Sequence, residues 1–114
     1  MGDRRIAQIK GGDKFGDVYV YVHSHGYELP EMTENAIIAA RNRWDDPAYA
    51  TRIIVDQLTK DGRDRETGFG LMAKPYAEDS YNNDQPSVII DLPNQTLRVI
   101  GDKACYKTFS KVVM

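Results

Sequence analysis

The 114-residue chain has one cysteine, two histidines and no apolar run longer than the five residues Ala36-Ile37-Ile38-Ala39-Ala40. A single thiol, Cys105, can form neither an internal disulfide nor a multi-thiolate metal site. The apolar run falls far short of the roughly 20 residues that a membrane helix needs. Excess positive charge is also missing. Fifteen Lys and Arg stand against seventeen Asp and Glu, a net charge of −2, which argues against a protein held to long nucleic acid by counterion release. A local basic patch remains compatible with that balance. The opening residues Met1-Gly2-Asp3-Arg4-Arg5-Ile6 carry no apolar leader, and Ile6 stands where a myristoylation site wants Ser or Thr. There is no repeat or low-complexity tract. At roughly 100–200 residues per domain, the expectation is one cytoplasmic domain over 1–114, with no membrane contact.

What is present reads as a mixed domain. Arg4–Lys10 alternates partially and suggests an edge strand, followed by the glycine-rich connection Gly11–Asp17. Val18–His23 is the clearest strand, with Val18, Val20 and Val22 on one face and Tyr19, Tyr21 and His23 on the other. His25 joins the second set if the strand stays extended. Gly26 breaks the pattern, and Pro30 suits the first turn of a helix running to about Trp44. Thr33, Ile37, Ala40 and Trp44 share a face of that helix, with Ala36 beside them. Asp46 as N-cap and Pro47 start a second helix, whose stripe is Ala50, Ile53, Ile54 and Leu58 and which stops near Lys60-Asp61-Gly62. The charged segment 61–66 reads as an exposed loop.

Three further strands are expected at Thr67–Met72, Ser87–Leu92 and Thr96–Ile100, the last two forming a hairpin through Pro93-Asn94-Gln95. The intervening segment 77–86 is polar and rich in turn residues. The tail from Cys105 fits either a strand or a short helix capped by Thr108. This order argues for the α+β class, an antiparallel sheet with two helices packed on one face.

Few residues offer chemistry. His23 and His25 project together and could begin a metal site, but no third ligand at suitable spacing completes it, so no cofactor is expected. Cys105 lacks partners for a thiolate mechanism and reads as a small buried hydrophobe. Asp45-Asp46 is explained by capping and the helix dipole. Gly68-Phe69-Gly70 lacks the Lys-Ser/Thr of a nucleotide loop. Its glycines suit either tight sheet packing or the approach of a flat ligand to the ring. Two helices can cover only one side of the sheet. Tyr19, Tyr21, His23 and His25 would then face outward, alongside whichever face holds Phe69 and Arg98. An aromatic face of this kind suits an oligomer contact or a binding platform, and rings with a guanidinium suit a small nucleotide.

Several blocks also resemble a known family. They are Gly2-Asp3-Arg4, Val18-Tyr19-Val20-Tyr21-Val22-His23, Leu29-Pro30, Arg43-Trp44-Asp45-Asp46-Pro47 with Tyr49, Arg52-Ile53-Ile54, Thr67-Gly68-Phe69-Gly70 and Val88-Ile89-Ile90-Asp91. Together they are similar to the first-described Thoeris anti-defence family of small phage and prophage proteins, over roughly residues 2–100. The resemblance implies a non-enzymatic sponge that binds glyco-cyclic ADP-ribose signals without cleaving them, in pockets at a dimer interface. Some members also bind cyclic trinucleotides at separate sites. Carried over, Phe69 stacks on a base, Asn82 or Asn83 and Arg98 supply polar and cationic contacts, and His23 matches a histidine after the Tyr-rich strand. Two departures bear on ligand preference. Ser24-His25 stands where the family runs to a tryptophan, and Arg5-Ile6-Ala7 replaces Ala-Asn-Ile.

The leading expectation is therefore a homo-oligomeric sponge for a cyclic nucleotide immune signal, acting in the host bacterial cytoplasm. The rival is a protein–protein inhibitor or structural phage protein that uses the aromatic sheet face. An enzyme ranks third, because no acid–base pair or closed metal set can be named.

Overall fold

The computed structural model describes residues 5–22, 28–62, 64–73, 87–100 and 104–113. In chain order these form β1 (Arg5–Lys10), β2 (Asp17–Val22), α1 (Leu29–Ala39), α2 (Pro47–Thr59), β3 (Phe69–Met72), β4 (Val88–Asp91), β5 (Thr96–Val99), β6 (Cys105–Thr108) and α3 (Phe109–Val112). Single 3-10 turns follow α1 at Arg41–Arg43 and α2 at Lys60–Gly62.

The strands make one six-stranded sheet in the order β3-β2-β1-β4-β5-β6. Every pairing is antiparallel except that of β1 with β4. The fold is α+β with helices against one face of a mostly antiparallel sheet, as its element order implies. The parallel pair corrects the expectation for β1. That strand is interior, with Ile6, Ala7 and Ile9 no more than 2% exposed. Its partial alternation reflects burial on both faces, not solvent on one.

Register fixes the two faces. The row Val20, Ala7, Val88 and Val99 crosses the sheet on the helix side, and beside it runs the row Val18, Ile9, Ile90 and Leu97. From the helix layer, Leu29, Ala36, Ile37, Ala40, Ala50, Ile54 and Leu58 complete the same core. The stripes read from sequence are the buried ones, and Ile53 is partly buried against them. Thr33 is fully buried in α1, and its hydroxyl has no hydrogen-bond partner among the described residues.

Several boundaries differ from the sequence reading. The first helix ends at Ala39, and the chain then tightens into the 3-10 turn before Trp44. This re-aims Trp44, whose Nε1 donates to the Ile37 carbonyl at 2.9 Å and whose ring lies 4.9 Å from that of Phe109. Asp46 occupies the N-cap position of α2 with extended backbone, but its side chain makes no capping bond. Its carbonyl accepts from Ala50 N–H at 2.8 Å. The neighbouring Asp45 carboxylate accepts from Gln95 Nε2 at 2.9 Å, tying the β4–β5 turn to the helix layer. The C-terminal segment holds both elements considered for it, a strand and then a helix, and the Thr108 hydroxyl accepts from Lys111 N–H at 3.3 Å.

The helices cover the sheet's margins only in part. Leu71 on β3 is 60% exposed although it registers with buried Val20, and Cys105 on β6 is exposed although it registers with buried Val99. The expectation of a buried Cys105 is thereby corrected: it lies beyond the cover of the helices. Among the described residues no helix is long and apolar enough to cross a membrane.

The core and the margin should respond differently to mutation. Phe109→Ala should cost about 3–5 kcal/mol in urea unfolding, because a fully buried ring leaves a cavity. Cys105→Ser should stay within about 0.5 kcal/mol. Alkaline pH should also destabilise the fold. The hydrogen bond and charge of Glu34 raise the Lys107 pKa above 10.5. That interaction is fully present below 10.5 and is lost as pH rises through the folded value. Burial first, and then Asp17, raise the Tyr19 pKa above 10.0. The unfolded chain therefore ionises first and stability again falls above that pH. Melting temperatures recorded from pH 8 to 11 should decline above about 10, and less so in Tyr19→Phe.

Candidate functional site

Phe69 opens β3 opposite Val22, on the helix side of the sheet. Gly68, at φ +104°, turns the chain into the strand at an angle that residues with a Cβ rarely adopt. Across from the ring lies Gly62, at the end of the 3-10 turn after α2. A Cβ on Gly62 would sit 2.6 Å from both Cδ2 and Cε2 of Phe69, so only glycine lets the loop close against the ring. Arg65 N–H donates to the Gly62 carbonyl at 3.0 Å and holds the following turn in place.

The result is a cleft of about 310 Å³, at the lower end of the range for small-molecule sites. Val22, Met32 and the half-buried Phe69 ring supply its apolar floor, and Arg65 and Asp61 stand on its polar rim. Neither the Arg65 guanidinium nor the Asp61 carboxylate is in an ion pair among the described residues. Chemically, this arrangement offers a flat ring to stack on and a guanidinium beside it.

Arg98 lies elsewhere. It is exposed on the opposite face, in the row Tyr19, Gln8, Ile89, Arg98 and Tyr106 that crosses five strands. Four strand spacings separate β5 from β3, about 19 Å at 4.8 Å each. Phe69 and Arg98 therefore do not share a face, and one chain does not bring them to one ligand. Tyr19 and Tyr21 do face away from the helices, both half-buried. His23, His25, Asn82 and Asn83 lie outside the described residues. Among the described residues no group of three His, Cys, Asp or Glu is placed to hold a metal ion.

Arg65 and Gly62 escaped the sequence reading, which treated their segment as a solvated charged loop. Nothing local distinguishes Arg65 from the other charges of 61–66. The one usable signal was a glycine interrupting that run, because a glycine not needed for a left-handed turn often marks a close approach. Comparison with known proteins adds no relative: no family model matches the chain, and no curated protein or solved structure matches it.

Proposed function

We propose that the protein is a non-catalytic binding protein that takes up a cyclic nucleotide signal in the Phe69 cleft and withholds it intact. The observation that carries this reading is the half-buried Phe69 ring, set against Gly62 with the Arg65 guanidinium, which has no ion pair among the described residues, on the same rim. A ring held in one orientation loses little entropy on stacking, and a guanidinium pairs with a phosphate in the geometry it prefers. The resemblance to the anti-defence family adds the sponge role, the cyclic ADP-ribose class of ligand and a site in the host cytoplasm. It also adds a homo-oligomer, in which Arg98 could reach a ligand only from a second copy.

A second reading has its own observation. Tyr106, 63% exposed, and Ile100, 42% exposed, flank Arg98 on the open face of the sheet. Such a patch suits contact with a partner protein.

Calorimetry against cyclic ADP-ribose isomers separates these possibilities. Phe69→Leu and Arg65→Ala should each weaken binding about ten-fold or more, the expected loss for a stacking ring or a phosphate-paired cation. Arg98→Ala should leave affinity within about two-fold. The reverse result, Arg98 essential and Arg65 silent, would mean a pocket shared between chains. Unchanged affinity in both Phe69→Leu and Arg65→Ala would remove the cleft from consideration. Intact nucleotide released on heating, measured by mass spectrometry, is expected for a sponge, and a converted product would point to an enzyme.

A further inference from the structure

The cleft holds two charges of opposite sign that do not neutralise each other. Asp61 is exposed in the 3-10 turn after α2, one residue before the glycine that packs against the Phe69 ring. Arg65 is exposed on the other side of that glycine, and its backbone N–H is bonded to the Gly62 carbonyl at 3.0 Å. The closest approach of the chain to the ring is therefore flanked by a carboxylate before it and a guanidinium after it. Both line the same cleft as the ring, yet they form no ion pair with each other. An occupant that satisfies both presents hydrogen-bond donors to Asp61 and an anion to Arg65, and its flat body covers Phe69.

An ionised carboxylate only accepts hydrogen bonds. Beside the base of a nucleotide, it selects by the donors on the pairing edge. Guanine offers two parallel donors there, N1–H and the N2 amine, which match the two carboxylate oxygens. Adenine offers one, the N6 amine, next to the N1 lone pair, which the carboxylate repels. Hypoxanthine keeps N1–H and lacks the N2 amine.

Resting on the nucleotide-binding reading, we infer that the cleft selects guanine over adenine. The base stacks on Phe69 with its N1–H and N2 amine on Asp61, and the phosphate pairs with Arg65. Asp61 is then the specificity-determining residue, and the adenine of cyclic ADP-ribose is the weaker fit.

The test uses cyclic GMP, cyclic IMP and cyclic AMP, which differ only in the base, titrated calorimetrically into the full chain. Cyclic GMP should bind about ten-fold more tightly than cyclic AMP, the discrimination expected of one bidentate pair. Cyclic IMP, with one of the two donors, should fall between them. Asp61→Asn, whose amide presents one acceptor and one donor, should lose the preference for cyclic GMP. Asp61→Ala should bind all three probes alike within about two-fold. Phe69→Leu should weaken all three and keep their order. Equal affinity for cyclic GMP and cyclic AMP in the unmodified chain, or a guanine preference that survives Asp61→Ala, overturns the inference. Phe69-dependent binding of these probes would then still support the nucleotide reading. If none of the three binds, the inference falls, and the outcome with cyclic ADP-ribose alone decides the nucleotide reading.

Discussion

Trp44 joins the end of α1 to the C-terminal helix through two contacts made by one side chain. Its indole N–H satisfies the Ile37 carbonyl near the end of α1, and its ring packs against Phe109 at the start of α3. Phe109 N–H in turn donates to the Gln95 carbonyl in the β4–β5 turn, and the Gln95 side chain reaches Asp45. Gln95 sits at φ +54°, a conformation unfavourable for a residue with a Cβ, and these bonds on either side hold it there. Loss of the Trp44–Phe109 contact would release the turn, the C-terminal helix and the end of α1 together. Their energies are coupled, not additive.

That clasp also determines what the helices leave uncovered. They are fastened over the middle of the sheet, where Ala7, Ile9, Val88 and Ile90 are fully buried, and they cover the two edge strands only in part. The β6 margin is left with an exposed Cys105, and the β3 margin with Leu71 and the half-buried Phe69. Phe69 keeps part of its ring open because the chain beside it returns as the segment after α2, which has a glycine at the point of contact. An edge strand normally has to be protected against pairing with other chains. Here the edge is only four residues long, and two of its neighbours in the chain are turn and loop. A short edge limits pairing while leaving part of the Phe69 ring exposed.

Much of this was legible in the sequence. Alternation in Val18–Val22 gave the buried face of β2, and the helical stripes named the core residues of α1 and α2, because each depends on periodicity within one element. What failed depended on relations between elements. β1 looked like an edge because its partner β4 comes from the other end of the chain, and no local pattern announces a parallel pairing. Phe69 and Arg98 were grouped on one face for the same reason. Alternation fixes parity inside a strand, but the relative parity of two strands is set by register, and a shift of one residue exchanges the faces.

The same reasoning explains why Arg98 and Phe69 lie on opposite faces while Arg65 stands beside the ring. Arg98 lies on a strand with strong hydrophobic alternation, so its position is well determined and its side chain points away from the helices. Arg65 lies in a loop whose composition says only that it is solvated. Its place depends on Gly62, which lets the loop approach the ring, and on the backbone bond from Arg65 to Gly62, which fixes how the chain leaves that contact. A cleft at a sheet edge is assembled by such returns of the chain, and the residue that permits the return has no side chain of its own to advertise it. The glycine, not the arginine, is therefore the position at which a larger side chain would change the site most. It would push Phe69 out of the place that gives the cleft its floor.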